Sequence, residues 1–93
     1  MQLTSQLRTR LEDMIARSST SLDVVKSKSR IEDHVNVRCI VAYWLYHHIN
    51  FNYAQVGAFL ERDHTSAMYL VGRYIDRIAT DTRLQEENKR MIP

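Results

Sequence analysis

The chain has 93 residues, the length of a single domain, which leaves no room for a nucleotide-binding domain beside a second module. Its 44% apolar and 26% charged residues are typical of a folded chain, and its two glycines and one proline are too few for hairpins or sandwiches, so helices are predicted. The net charge of +2 is too small to choose among nucleic-acid, membrane and protein partners.

The first half of the chain predicts three helices. Apolar residues recur at spacings of three and four over residues 3–17, which indicates an amphipathic helix. The run 18–21 ends it, and Ser21 is a suitable N-cap for a short second helix. The stretch 26–30, Lys-Ser-Lys-Ser-Arg, breaks the apolar pattern and is predicted to be a basic connector. The strongest apolar period covers residues 33–49 and predicts the central core helix.

A short fourth helix is predicted over residues 53–60. Asn52 and Gln55 have the spacing of a capping box at its start. Gly57 lies inside it, where glycine costs roughly 1 kcal/mol relative to alanine. We therefore expect another helix to cross closely at this glycine.

Two further helices complete the predicted fold. Asp63 is well placed as the N-cap of a helix over residues 64–78, which has one apolar and one polar face. The last segment, 81–93, has few apolar anchors and is predicted to be a frayed helix. We expect an all-α protein, a small bundle of five to six helices in one domain over 1–93, with an N-terminal helix within 1–20 and a core over 21–80.

The fourth and fifth helices are typical of a helix-turn-helix DNA reader, because the first is short and contains glycine and the second begins with a polar half. Three motifs add to this pattern: Arg-Asp-His-Thr-Ser at 62–66, Gln-Val-Gly-x-Phe at 55–59 and Arg-x-x-x-Ala at 38–42. Together they resemble the C-terminal DNA-binding domain of the bacterial replication initiator DnaA, over roughly residues 20–80.

The resemblance implies a set of DNA contacts. In that family a helix-turn-helix reads the major groove of an asymmetric, A·T-rich box, and an arginine enters the neighbouring minor groove. Carried over by motif, Arg38 is the expected minor-groove residue. The expected major-groove residues are Asp63, His64, Thr65 and Ser66, whose polar groups can pair with base edges. The expected phosphate contacts are Arg62, Lys26, Lys28, Arg30 and Arg73.

Each of these residues also has an ordinary structural interpretation. Asp63 is a helix cap whether or not it reads a base, and His64 is by spacing alone a solvated surface residue. Arg38 is equally consistent with a surface arginine that packs its stem on apolar neighbours. The chain also departs from the family at Glu61, where glycine is usual, and at Asn36, where a second arginine is usual. Fewer phosphate contacts are therefore expected. Glu32 and Asp33 also dilute a stretch that is usually strongly basic in the family, so the affinity or the box is expected to differ.

Enzyme chemistry finds little support in the sequence. No GxxxxGK[ST] motif is present, so we expect neither ATP binding by that route nor the ATPase activity of the resembled initiator. His47 and His48 are adjacent and project about 100° apart, whereas a helical metal site needs i,i+4 spacing. Cys39 has no histidine near it in sequence and is predicted to be a buried, inert thiol. We expect no enzyme activity, no metal and no cofactor.

Charge and hydropathy set the expected location. Residues 1–30 carry six basic and three acidic side chains, and residues 31–93 carry seven and eight, so the positive surplus precedes the middle of the chain. No apolar run reaches the ~18 residues of a membrane span, and the N-terminus lacks a signal-peptide core. We expect a cytoplasmic, nucleoid-associated protein with no membrane partner.

Two functions of different classes follow. The first is sequence-specific double-stranded DNA binding of the DnaA-box type, in replication initiation or transcription, by a monomer or by a homodimer formed through the N-terminal helix. A full-length initiator or another replication protein is a further expected partner. The alternative is a protein-interaction module that has lost DNA contact and in which helix 3–17 or helix 64–78 binds or antagonises a replication or transcription protein. The near-neutral charge of residues 31–93 favours this alternative.

Overall fold

The computed structural model describes residues 3–92, and six helices form this part of the chain. Their bounds are α1 Ser5–Ala16, α2 Leu22–Lys26, α3 Glu32–His47, α4 Tyr53–Phe59, α5 His64–Arg77 and α6 Thr82–Met91. No strand occurs among these residues, so the predicted all-α bundle of five to six helices is confirmed. Met1, Gln2 and Pro93, at the ends of the predicted segments 1–20 and 81–93, lie outside the described residues.

The third helix is the centre of the bundle. It contacts α2, α4, α5 and α6, and every residue from 36 to 42 is buried. Trp44 and Leu45 continue this buried surface toward the end of the helix. A helix that is enclosed on several sides must be apolar around most of its circumference, which explains the strong hydrophobic pattern of this segment.

The N-terminal helix is part of the same core. Leu11, Met14 and Ile15 are buried, and α1 packs against α6. The segment after α1 is fastened by Ser19, whose backbone N–H and hydroxyl both donate to the carboxylate of Glu87. The second half of the apolar stripe of α1 is therefore covered by the chain itself, whereas Leu3 and Leu7 are half-buried.

The last helix is packed rather than frayed, contrary to the prediction. Asp81 caps it by accepting a hydrogen bond from the Leu84 N–H at 3.1 Å. Leu84, Glu87 and Met91 are all buried, and Glu87 is only 1% exposed. Glu87 is satisfied inside the fold by Ser19 and by Arg90, whose Nε lies 3.0 Å from the carboxylate. A charged residue does not count toward an apolar period, so the contribution of Glu87 to the buried face of α6 was not visible in the sequence.

Capping residues were predicted at the starts of α4 and α2, and the structure forms the capping hydrogen bonds at α4 only. Asn52 accepts from the Gln55 N–H at 2.8 Å, and the Gln55 side chain accepts from the Asn52 N–H at 2.9 Å. The capping box predicted for α4 is therefore confirmed. Ser21 precedes α2 as expected, but its side chain makes no capping hydrogen bond.

Candidate nucleic-acid interface

A short turn joins α4 to α5, and Gly57 sets the distance between them. A Cβ atom on Gly57 would lie 2.6 Å from the carbonyl oxygen of Arg62 and 2.8 Å from that of Asp63. A close approach at this glycine is therefore confirmed, but the neighbour is the backbone of the turn that leads into α5 and not a crossing helix. Only glycine lets the chain pass here without displacing the start of α5.

The turn contains a residue in the left-handed region. Glu61 has φ of 59°, a conformation that costs a non-glycine residue about 1–2 kcal/mol. It is followed by Arg62, whose N–H donates to the Gly57 carbonyl at 2.7 Å and closes the turn. The Glu61 carboxylate lies 3.8 Å from Lys26 Nζ, an exposed and therefore weak ion pair. Glycine would adopt this backbone without strain, which explains why a glycine is usual in such a turn.

The first turn of α5 presents polar side chains to solvent. Asp63 caps the helix, because its Oδ1 accepts from the Ser66 N–H at 2.7 Å. This hydrogen bond lowers the pKa of the Asp63 carboxyl below its usual value. His64 and Thr65 are exposed and Ser66 is half-buried, so the predicted major-groove residues share one helix end.

The Asp63 cap should make stability depend on pH. Because the pKa of Asp63 is depressed in the fold, its contribution is present above the ordinary aspartate pKa and is lost as the pH falls through the lower, folded value. We expect Asp63→Ala to lower the melting temperature at about pH 7 and to have less effect at about pH 3. Asp63→Asn keeps a capping oxygen without the charge and is the control. A destabilisation by Asp63→Ala that does not change with pH would contradict this account.

Arg38 lies inside the protein, with 4% of its surface exposed. Its Nε donates to the carbonyl of Val25 at 2.8 Å, and its Nη1 donates to that of Ser29 at 3.1 Å. Its Nη2 donates to the carbonyls of Ser27 at 3.0 Å and Val24 at 3.4 Å. The residue predicted to enter a minor groove is thus bound to the end of α2 and to the segment that connects α2 to α3.

Arg62 binds the same segment from the other side. Its Nη1 donates to the carbonyls of Leu60 at 2.9 Å and Val25 at 3.5 Å, and its Nη2 donates to that of Ser27. Burial lowers the pKa of Arg38, and the nearby charge of Arg62 adds to that effect. Two cations are therefore held close together around one loop.

A cleft of about 600 Å³ opens between the connector, α3 and the first half of α5. It brings together side chains from separate parts of the sequence, and no carboxylate lines it. In the part of the chain that the structure describes, none of its four arginines forms an ion pair. The polar lining consists of Arg30, Arg38, Arg62, Thr65, Ser66, Tyr69 and Arg73, above Val35 and Leu70.

The other predicted contacts lie outside this cleft. Lys28 is exposed, and Lys26 is half-buried with its Nζ 5.1 Å from the centre of the Phe59 ring. Asp63 and His64 lie at the exposed N-terminal end of α5, beside the cleft but not in its lining. The structure thus gathers five of the predicted site residues with Arg38 and leaves these four on the neighbouring surface.

Comparison with known proteins finds a similarity to a replication initiator. Over 76 residues, 82% of this chain, 29% of the positions are identical to the chromosomal replication initiator protein DnaA of Mycoplasma genitalium. The chain is similar to DnaA. The resemblance inferred from the motif at 62–66 is thereby confirmed. The chain spans 17% of the length of that DnaA. No protein-family model matches the chain, and no solved structure gives a significant match.

One polar residue of the cleft was missing from the DnaA-based set of contacts. Tyr69 is 63% exposed, and its hydroxyl lies 3.4 Å from Nη1 of Arg73. It stands four residues after Thr65 and four before Arg73, so all three share one face of α5. That i,i+4 spacing is the signal from which Tyr69 could have been found. Arg73 also interacts with the buried Cys39 thiol, where its charge acts against the effect of burial on the thiol pKa.

The remaining candidate groups do not form a reactive site in residues 3–92. Burial raises the pKa of Cys39 to about 11, so the thiol stays protonated at neutral pH. No three histidine, cysteine or acidic side chains in this range form a group that could hold a metal ion. The His47 ring stacks on Tyr43 with 5.1 Å between ring centroids. No helix in the same range is long and apolar enough to cross a membrane.

Proposed function

We propose that the protein is a sequence-specific double-stranded DNA-binding protein of the DnaA-box type that lacks ATPase activity. The supporting observation is the carboxylate-free cleft in which four arginines meet the polar first half of α5. Like charges that converge without a carboxylate favour a polyanionic partner, and DNA carries one negative charge per ≈ 1.7 Å of helix axis. The similarity to DnaA supports DNA over other polyanions.

The proposed contacts divide by chemistry. Asp63, His64, Thr65 and Ser66 read base edges from the start of α5, acting as the second helix of a helix-turn-helix with α4. Arg62, Lys26, Lys28, Arg30 and Arg73 hold backbone phosphates. A minor-groove contact by Arg38 stays a prediction of the resemblance. It would require the guanidinium to give up four backbone carbonyls, and Arg30, which is exposed in the same loop, is the freer cation.

The proposed biological role is to act at a replication origin or promoter as a cytoplasmic, nucleoid-associated protein. Occupying DnaA-type boxes would exclude a full-length initiator, or would mark a site for another replication protein. Because the second half of the apolar stripe of α1 is buried within the chain, we propose binding as a monomer.

A second candidate function is binding to a partner protein through α5. Met68 and Ile75 are 49% and 56% exposed on this helix, which is high for large apolar side chains. Finding a partner protein that covers this face of α5 would support an interaction module rather than a DNA-binding protein. Only the DNA proposal uses the cleft. Replacing the arginines of the cleft is therefore expected to weaken DNA binding but not the binding of a partner protein to α5.

The deciding experiment measures affinity for two duplexes of equal length, with and without a DnaA-type box, across a range of salt concentrations. The proposal predicts tighter binding to the box at every salt concentration and a linear fall of log K with log salt. Absence of binding to either duplex at low salt would exclude DNA binding and leave the protein-interaction module. Equal binding to both duplexes would exclude box specificity.

The connector should contribute affinity without specificity. Lys28→Ala is expected to weaken binding to both duplexes by the same factor and to reduce the salt slope by about one unit, because one phosphate contact is lost. The control is Lys89→Ala, which removes the same charge from the exposed side of α6. A loss at Lys28 that affects only the box duplex would contradict a phosphate contact.

A further inference from the structure

The connector between α2 and α3 is held by side chains from two other elements. Arg38 on α3 donates hydrogen bonds to the backbone carbonyls of Ser27 and Ser29 in the connector and to those of Val24 and Val25 at the end of α2. Two of the same carbonyls, those of Val25 and Ser27, also accept from Arg62 in the turn before α5. Arg38 and Arg62 therefore share two acceptors, the carbonyls of Val25 and Ser27.

This arrangement depends on guanidinium geometry. An arginine presents five N–H donors in a rigid plane, whereas a lysine ammonium is a compact charge with three donors on a flexible stem. Charge-assisted hydrogen bonds to carbonyls are stronger than neutral ones. Arg38 makes four of them at a position where burial and the charge of Arg62 both lower its pKa. No carboxylate within residues 3–92 pairs with either arginine, so the carbonyl oxygens are their partners.

We infer that Arg38 is a positioning residue that fixes the connector against the first turn of α5. Lys28 and Arg30 flank the bound carbonyl of Ser29, so their placement relative to α5 depends on Arg38. Arg62 completes the link, because it directly precedes the cap of α5 and binds the same loop. One consequence rests on the proposed function: the phosphate-binding residues of the connector and the base-reading residues of α5 are held in a fixed position relative to each other.

The first test needs no DNA. The amides of Ser27 and Ser29 donate to Val24 O and to the Ser27 hydroxyl, so their hydrogen exchange reports on the order of the connector. Arg38→Lys keeps the charge but not the geometry, and we expect it to speed exchange at both amides by about tenfold or more, with no change at Val71 in the core of α5. Arg8→Lys, on the exposed side of α1, is the control. Unchanged exchange in Arg38→Lys overturns the inference.

A second variant covers the case in which Arg38→Lys does not fold, as judged by circular dichroism. Arg62→Lys removes hydrogen bonds to Val25 and Ser27 from the opposite side, and the same two amides should exchange faster. Exchange at wild-type rates in that variant overturns the inference as well.

The third measurement is a double-mutant cycle on the duplex that wild-type protein binds best. Arg30→Ala should weaken binding about fivefold or more in the wild-type background and less than about twofold in the Arg38→Lys background. The reason is that in the Arg38→Lys background the connector is no longer held against α5. Equal losses in both backgrounds overturn the inference while the proposed DNA function stands. Faster connector exchange upon DNA binding also overturns it, because Arg38 would then leave the loop for the groove. If no duplex binds, the proposed function fails and the coupling fails with it, whereas the exchange data still decide whether Arg38 orders the loop.

Discussion

Replacing Gly57 by alanine is expected to lower the free energy of unfolding by about 1–3 kcal/mol. The added methyl group would lie 2.6 and 2.8 Å from two backbone oxygens of the turn, closer than real contacts allow. Neither oxygen belongs to a flexible side chain, so α4 or the start of α5 must move. The higher helix propensity of alanine returns roughly 1 kcal/mol at most, which is too little to offset overpacking against backbone.

Thermal unfolding of the full chain measures this effect, and the chain supplies its own control. A Cβ on Gly72, in the middle of α5, would meet nothing within 4 Å. Gly72→Ala should therefore raise stability by about 0.5–1 kcal/mol through helix propensity alone. For a domain of this size each kcal/mol corresponds to about 4–8 °C in Tm. If both variants shift Tm in the same direction, the steric account of Gly57 is wrong.

Loss of box discrimination is the second large expected effect. His64→Ala and Thr65→Ala should each reduce the preference for a DnaA-type box over an unrelated duplex by about 1–3 kcal/mol, or roughly 5- to 150-fold. Both side chains are exposed on the first turn of α5 and neither belongs to the core, so the variants should fold normally. Their loss removes hydrogen-bonding groups from the helix end that is proposed to face the bases.

Competition between the two duplexes measures this loss directly. Matched controls are His48→Ala, at the exposed end of α3, and Thr82→Ala, the exposed first residue of α6. These should leave the preference unchanged. If His64→Ala and Thr65→Ala weaken both duplexes equally, these residues contact phosphates rather than bases, and specificity resides elsewhere.

Features encoded within a few residues could be predicted from the sequence. The Asn52 and Gln55 capping box and the Asp63 cap each depend on partners three residues apart, so the sequence contains the whole interaction. The predicted helices over 3–17 and 33–49 differ from Ser5–Ala16 and Glu32–His47 by two residues or fewer at each end, which is the usual uncertainty of helix ends.

Features that depend on distant partners could not be predicted. The packing of α6 depends on Glu87, whose burial is compensated by Ser19, 68 residues earlier in the chain. No apolar period marks such a residue, because its burial rests on hydrogen bonds rather than on hydrophobicity. The same holds for Arg38. The motif alone predicts that Arg38 contacts DNA, whereas in the fold its guanidinium is surrounded by backbone carbonyls of residues 9–14 positions away in the sequence.

The sequence by itself determined the helical class, the caps of α4 and α5, the glycine that permits the turn, and the motif at 62–66 that resembles DnaA. Each of these follows from local spacing or from residue types at neighbouring positions. Only the tertiary structure decided which basic residues meet. It buried Arg38, joined Arg62 to the connector, and brought Arg30 and Arg73 to one cleft, because close packing of α3 against α2 and α5 brings together charges that are far apart along the chain.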